Sequence, residues 1–395
     1  MKKKLAFFLM SLRAAGGERA LLELATAFDS QGYDVDLVVV KPNGHYLEQI
    51  QDKLRIVSLG KVRIIATFPA FIRIILTFPA FMRYLKRETP YAVIATDDLT
   101  HLSLLIAKLI SHTRFKAFLR IGNVFSILQK NYTRSKYLLV PFPSKLLYKK
   151  ADGYIAVSEG VAEDAAKTFN IPRERIPVIF TPKNISLLRT RSRQLPEHPW
   201  FKDGSDPLIV FVGRLRKQKD IPTLLRAFQI VRQSQNTRLI ICGIGREEQR
   251  LKEIATDLRI TDNISFVGFV ENPYAYMGHA DIYVLSSLWE GLPNSLIEAL
   301  VCGIAVIAAD CHAGPRELLA PSSNPKKRIT SGVEYAEFGV LFPVGGVHEL
   351  ASALSELLQN QSLRKKYKQK SLQRGNDFDF DKSFLEFEKI ITQDV

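Results

Sequence analysis

The sequence predicts an α/β fold built from two doubly wound, parallel-sheet domains. Three observations carry that prediction. Short apolar runs alternate with helix-period patterns, once up to residue 157 and again from residue 208. The chain has 395 residues, which at roughly 150 per domain suggests two. Between the two series lies an aperiodic stretch, 182–205, holding Pro182, Pro196 and Pro199 with Pro207 just beyond, and it reads as a linker. The expected parts are a Rossmann-like domain over 1–185, a linker over 186–206 and a second Rossmann-like domain over 207–379, with a last helix at 380–395 packing back on the first domain.

The first series runs strand 4–10, helix 17–31 and strand 34–40, then a weaker pair within 46–58. Helix 66–87, strand 91–95, helix 100–111, strand 116–121, helix 135–150 and strand 153–157 follow. The second series runs strand 208–213, helix 221–233, strand 238–242, helix 246–258 and strand 263–268. It continues with helix 273–279, strand 281–285, helix 294–301, strand 304–308, helix 315–320, strand 339–342 and helices 347–358 and 362–373. In such sheets ligands bind outside the carboxyl ends of the strands, so two facing domains would bind theirs in the cleft between.

Composition excludes several classes. Hydrophobic residues make up 46% and charged residues 24%, ordinary for a globular chain with sizeable cores. Cys242, Cys302 and Cys311 form no disulfide framework or C-x-x-C pair, which points to a reducing compartment. The seven histidines show no ligand spacing, so no metal site is expected. The N-terminal Lys-Lys-Lys-Leu-Ala-Phe-Phe-Leu-Met imitates a signal peptide, but its apolar core is short and Arg13 follows closely, so a buried first strand is expected. No run of 18 uncharged apolar residues exists, so no spanning helix is expected.

The charge is localised. Positions 53–150 hold 18 Lys and Arg against only Glu88, Asp97 and Asp98, which accounts for the whole chain's net +15. A basic region confined to one domain suggests a docking face rather than a nucleic-acid groove, and no recognition motif accompanies it. Within it, Thr-Phe-Pro-Ala-Phe occurs at 67–71 and again at 77–81, with arginines at 63, 73 and 83. Phenylalanines and periodic arginines on a helix fit either a domain helix with a buried face or an element lying on an anionic membrane, and the charge favours the membrane.

The candidate site residues follow strand ends. Gly16-Gly17 opens the first helix, where backbone can approach an anion, although G-x-G-x-x-G is absent; a plain tight turn is the alternative. Gly213-Arg214-Leu-Arg-Lys-Gln-Lys219 places four cations after a strand; a solvated basic turn is the alternative. Gly243-Ile-Gly245 reads as a turn, or as a place where backbone passes near a nucleotide. In Leu288–Gly303, Glu290 lies in a Gly/Pro loop and Glu298 on the following helix, whose Asn294 and Ser295 N–H groups face an anion site. Sugar hydroxyls need carboxylate acceptors and phosphates need N–H donors. Two solvated glutamates on an ordinary strand–loop–helix unit is the plainer reading of that segment alone.

Phe211-Val-Gly-Arg-Leu…Lys219, Val267-Gly-Phe269, Ala280-Asp281…Leu285-Ser-Ser287 and Glu290-Gly-Leu-Pro-Asn-Ser-Leu-Ile-Glu298-Ala…Cys302-Gly303 together resemble the retaining glycosyltransferases of family 4 (group 1), which have the two-Rossmann GT-B fold. The resemblance is strong over 205–320, reasonable over 1–30 and 145–165, and weak across 45–135. It implies that Arg214 and Lys219 hold the donor diphosphate, with Gly213 beside them. Gly16 and Gly17 would lie near the donor phosphates and sugar. Glu290 would contact donor-sugar hydroxyls at the reacting centre, Glu298 the ribose hydroxyls, and Asn294 and Ser295 the phosphate. Catalysis is then metal-independent, by Glu290, Arg214 and Lys219, with retention of configuration and no cofactor beyond the nucleoside-diphosphate sugar substrate.

One departure stands out. Relatives place a histidine after a middle strand of the first domain, where this chain has Gly122. Arg120 or Asn123 would take up sugar or acceptor contacts, while His101 and His112 fall on helix and read as structural. Asp34-Val-Asp36 and Asp377-Phe-Asp379-Phe-Asp381 read as caps and turns rather than metal ligands. The expected activity is transfer of a hexose or N-acetylhexosamine to a saccharide, lipid-linked acceptor in cell-surface polysaccharide or glycolipid synthesis. The expected location is cytoplasmic, peripheral on the inner face of the membrane. A sugar-nucleotide epimerase of the same fold is the main alternative, and a basic nucleic-acid-binding protein a lesser one.

Overall fold

A computed structural model describes residues 3–12, 16–42, 53–60, 68–131, 141–204 and 206–392. The chain divides into two compact units. The first comprises Met1–Pro182 with Asp381–Val395, and the second Lys183–Phe380.

The first unit is built on six strands: β1 Lys4–Ser11, β2 Asp34–Lys41, β3 Arg55–Ser58, β4 Ala92–Ala95, β5 Lys116–Ile121 and β6 Gly153–Ala156. Their order is β3-β2-β1-β4-β5-β6, and every neighbouring pair is parallel. Helices cover both faces, which is why β1 and β4 read as continuous apolar runs and Leu5–Leu9 are fully buried. The order reverses between β1 and β4. The terminal helix Phe380–Thr392 belongs to this unit: Phe384 meets the Phe28 ring at 4.7 Å, and the Tyr33 hydroxyl donates to Glu388 at 2.7 Å.

The second unit carries β7 Leu208–Val212, β8 Arg238–Cys242, β9 Ile264–Gly268, β10 Ile282–Leu285, β11 Ala305–Ala309, β12 Glu334–Tyr335 and β13 Val340–Phe342. The order is β12-β13-β11-β10-β7-β8-β9, parallel except for β12 against β13. Phe211, Phe228, Ile241, Val284, Ile307 and Leu354 form its core. Here the order reverses between β7 and β10, and ligands of doubly wound sheets bind at that point.

The structure changes the sequence reading in three places. The segment 186–206 is not a bare linker: it holds the helices Ile185–Ser192 and Trp200–Asp203 and belongs to the second unit. The first of these has no apolar periodicity, but Asn184 caps it by accepting from the Leu187 N–H at 2.9 Å. It also packs so closely that a Cβ on Gly278 would lie 2.2 Å from the Ser192 carbonyl oxygen. Of the expected helix 135–150 the described residues show Pro141–Tyr148, and a helix Phe125–Asn131, absent from the sequence reading, follows β5; residues 132–140 lie outside the described residues. A helix with no counterpart in the sequence reading, Glu159–Phe169, follows β6, capped by Ser158 and burying Val161, Ala162, Ala165 and Phe169. Residues 61–67, with the first arginine and the first threonine of the repeated segment, and most of 46–58 also lie outside the described residues.

Candidate active site

The loops leaving β7 and β10, the two strands at the reversal, are stitched together. The Leu288 N–H donates to the Gln218 carbonyl, Gln218 Nε2 to the Trp289 carbonyl and the Ser286 hydroxyl to the Lys219 carbonyl, each at 2.8 Å. This scaffold brings Lys219 Nζ to 2.6 Å from Glu290 Oε1, and the Ser287 hydroxyl donates to the same oxygen at 2.6 Å. Glu290 is 6% exposed, and no hydrogen bond to its Oε2 occurs among the described residues. A buried ion pair of this kind adds little net stability, but it fixes geometry.

Glycines make the β7 loop possible. A Cβ at Gly243 would lie 1.9 Å from the Gly213 carbonyl oxygen, and one at Gly245 would lie 2.0 Å from that of Leu215. The loops after β7 and β8 therefore run in backbone contact, with the Gly213 N–H on the Cys242 carbonyl and the Leu215 N–H on that of Ile244. At Gly243-Ile-Gly245 the backbone passes against the neighbouring loop, a contact that neither expected reading named. It leaves Gly213 at the strand end and Arg214 exposed beside it.

The helix Asn294–Cys302 follows Glu290 and begins after Pro293 without a side-chain cap. The Leu296 and Ile297 N–H groups both reach the Pro293 carbonyl, whereas those of Asn294 and Ser295 stand before the first intrahelical acceptor. Asn294 Oδ1 is buried without a partner among the described residues. The Ser295 hydroxyl accepts from the Tyr283 phenol at 2.8 Å, and burial raises that phenol's pKa and keeps it neutral. Gly314, at φ +89°, lies against Pro293, where a Cβ would come within 2.5 Å of the ring. The start of this helix is thereby packed from both sides.

One turn into the helix, Glu298 is 8% exposed, and Lys183 Nζ donates to its Oε1 at 3.1 Å. Each of the two carboxylates thus has one oxygen held by a lysine and the other without a hydrogen bond among the described residues. Burial pushes the Cys302 thiol up to about 12, with the Glu298 charge adding to it, and raises Cys311 and Cys242 as well, so the thiols stay protonated.

In the first unit, Gly16 and Gly17 open the helix Gly16–Ser30 beyond β1, and the Ser11 hydroxyl donates to Glu18 at 2.8 Å. At the β1/β4 reversal the half-buried Asp97 carboxyl, its pKa raised by desolvation, accepts from the Met10 N–H at 3.4 Å. Sequence reasoning missed Asp97, because a lone Asp before a helix looks like a cap; it also fills that role, in a capping box with Thr100.

Arg120 requires correction as a sugar or acceptor contact. It is 3% exposed on a strand covered on both faces, its Nη2 donates to the Thr181 hydroxyl at 2.9 Å, and desolvation lowers its guanidinium to about 10. Asn123 is exposed just past the end of β5, and a Cβ on Gly122 would meet nothing within 4 Å. His101 is structural: it accepts from the Tyr148 hydroxyl and donates to the Ala95 carbonyl, and burial lowers it to about 4. His112 lies just past the end of its predicted helix, in the turn after Ile110. Asp34 pairs with Lys4, Asp36 accepts from Tyr84, and Asp377 pairs with Arg374, so these carboxylates serve the fold.

Sequence reasoning also missed Lys183, Gln218, Ser286 and Ser287. The serines lay inside a motif already quoted; Lys183 lay in the stretch read as linker, and no local signal marks it.

Known proteins resemble this chain over both of its units. The family model described as glycosyl transferases group 1 matches residues 194–374, and that described as Glycosyltransferase Family 4 matches residues 14–186. An uncharacterized glycosyltransferase of Methanocaldococcus jannaschii is 29% identical over 72% of this chain and 73% of its own. The N-acetylgalactosamine-N,N'-diacetylbacillosaminyl-diphospho-undecaprenol 4-alpha-N-acetylgalactosaminyltransferase of Campylobacter jejuni is 31% identical over 61% of this chain and 60% of its own. Among solved structures, Anabaena HepE in complex with UDP and glucose aligns with a TM-score of 0.77 at 16% identity, covering 99% of both chains, which speaks for the fold. With two models that between them span nearly the whole chain, and two parallel-sheet units of the GT-B type, this chain belongs to the family 4, group 1 glycosyltransferases.

Proposed function

We propose that this glycosyltransferase moves a hexose or N-acetylhexosamine from a nucleoside-diphosphate sugar to a lipid-linked saccharide, with retention of configuration and without a metal. The observation that carries this reading is the pair of lysine-held carboxylates, Glu290 and Glu298, flanking a helix N-terminus at the β7/β10 reversal. Glu298 offers its second oxygen to ribose hydroxyls, and Glu290 offers its own to the donor sugar. The diphosphate lies on the Asn294 and Ser295 N–H groups, with Arg214 and Lys219 as counter-charges. In the first unit, Gly16 and Gly17 open a helix where backbone can approach an anion.

As the bond from the sugar C1 to the phosphate oxygen breaks, charge grows on the departing diphosphate, and fixed cations and N–H dipoles stabilise it most at that moment. Lys219 does in this way what a divalent ion does elsewhere. The acceptor hydroxyl forms the new bond on the face the diphosphate leaves, and its proton passes to a departing phosphate oxygen. The UDP of the Anabaena structure and the undecaprenol-diphosphate saccharide in the Campylobacter name support these substrate classes.

Screening UDP-, GDP- and ADP-sugars for protection against thermal unfolding, then assaying transfer to undecaprenyl-diphosphate-linked saccharides with and without EDTA, tests the reading. Stabilisation by one donor, an α-linked product from an α-donor and activity that survives chelation are expected. Inversion, or loss of turnover in EDTA, would overturn those two parts of the reading.

The first unit is also proposed to rest on an anionic cytoplasmic membrane face. The helix Ala70–Glu88 exposes Phe71 (43%), Ile75 (64%) and Leu76 (52%) in its first half and Arg83, Lys86 and Arg87 in its second. No helix among the described residues is long and apolar enough to cross a membrane.

A further inference from the structure

Lys183 is among the most buried cations of the molecule, at 1% exposure, and a Lys is rarely enclosed unless a partner compensates it. The residue is anchored on every side. It is the first residue of the second unit, and the unit ends at Phe380. Its N–H donates to the Phe378 carbonyl at 2.8 Å, and its backbone pairs in parallel with Asp379. The next residue, Asn184, caps the helix Ile185–Ser192. The two places where the chain passes between units are therefore joined by backbone bonds at Lys183, and the side chain rooted there ends on Glu298 Oε1, 115 residues along the chain.

We propose that Lys183 is a positioning residue for nucleotide recognition: it clamps one oxygen of Glu298 so that the other is presented to the ribose hydroxyls. This deepens the donor-site reading above and rests on it. A carboxylate on a helix has three rotatable bonds, and an unclamped one samples several rotamers before a ligand selects one. A buried ammonium on Oε1 removes that freedom and offsets the cost of keeping a carboxylate in an interior site. The charged or titratable groups around Glu298 are Lys183, Tyr283, and Cys302 with Arg189 beside it. Tyr283 and Cys302 are held neutral by burial, so Lys183 supplies the cation that touches the carboxylate.

The clamp has a signature that mere structural support lacks. Binding of UDP, GDP and ADP, each against its 2′-deoxy counterpart, is measured by calorimetry on the full-length protein and its variants. Wild type should prefer one ribonucleotide over its deoxy form by roughly 10- to 100-fold, the range for a hydrogen bond to a charged group. Lys183→Met and Glu298→Gln should each shrink that preference to within about threefold, and Lys183→Arg should restore most of it. In the Glu298→Gln background, the further change Lys183→Met should leave the preference unmoved, because coupled residues are not additive. That double variant also removes both charges together, so it keeps the test open if Lys183→Met alone does not fold.

A Lys183→Met protein that weakens ribo- and deoxyribonucleotide equally overturns the clamp and leaves the donor-site reading standing. A wild type that binds no nucleoside diphosphate, or ignores the 2′-hydroxyl, overturns the assignment of Glu298 itself, and the clamp with it.

Discussion

Glu290 and Glu298 are eight positions apart, yet their surroundings assign them different work. Glu290 sits in a loop, pinned by Lys219 and Ser287, beside the strand end from which Arg214 projects; Glu298 sits in the helix, pinned among the described residues by Lys183. In the proposed function the first serves the reacting sugar and the second the nucleotide. Glu290→Gln keeps the shape and a bond to Ser287 but removes the negative charge of the ion pair, leaving Lys219 without its counter-charge. Turnover should fall roughly 100- to 1000-fold with donor affinity little changed, as when a transition-state contact is removed. Glu298→Ala should raise the donor KM by roughly 10- to 100-fold and leave kcat within a few fold. Steady-state kinetics on both variants checks the split, and a reversed pattern would exchange the two roles.

At the scale of elements, the site depends on loops that touch backbone to backbone. Gly243, at φ +144°, and Gly245 let the loops after β7 and β8 run in contact, and this sets the path of the chain from Gly213 to Lys219. Gly245→Ala places a methyl 2.0 Å from the Leu215 carbonyl oxygen, so the loop must move. The expected cost is about 1–3 kcal/mol of stability, the usual range for overpacking, together with weaker donor binding through the displaced Lys219. Gly122→Ala is the contrast: its Cβ meets nothing within 4 Å, and stability should change by less than about 0.5 kcal/mol. Thermal unfolding of the two variants side by side distinguishes a glycine required by packing from one that leaves a position open. Among the described residues nothing excludes a side chain at Gly122.

At the scale of the whole molecule, the net charge of +15 lies almost entirely in one region of the first unit. Each basic residue near an anionic surface contributes about 1 kcal/mol, and exposed Phe71, Ile75 and Leu76 add apolar contact. Binding to vesicles containing phosphatidylglycerol should exceed binding to phosphatidylcholine vesicles at least tenfold and weaken with salt. Phe71→Ser with Ile75→Ser should reduce it without lowering activity toward a water-soluble acceptor. Flotation that shows no preference for the anionic vesicles sinks this proposal.

What was legible in the sequence followed from short-range rules. Parallel strands buried on both faces read as apolar runs, so the strands from β4 to β11 fell within a residue or two of their expected bounds. The site loops were legible because Gly, Pro and charged residues cluster at those strand ends. The helix Ile185–Ser192 was not, since its stability comes from a cap and from close contact with Gly278 rather than from its own periodicity. Arg120 misled for a related reason: a charge one residue before a strand end looks accessible until the neighbouring strand and Thr181 enclose it.

By itself, then, the sequence determined the two doubly wound sheets and the residues gathered at the β7/β10 reversal, because hydrophobic period and turn chemistry act over a few residues. Only the tertiary structure decided which of those residues are held in place and by what. The pairing of Lys183 with Glu298 spans 115 positions, and no local pattern encodes a contact formed only when the chain has closed on itself.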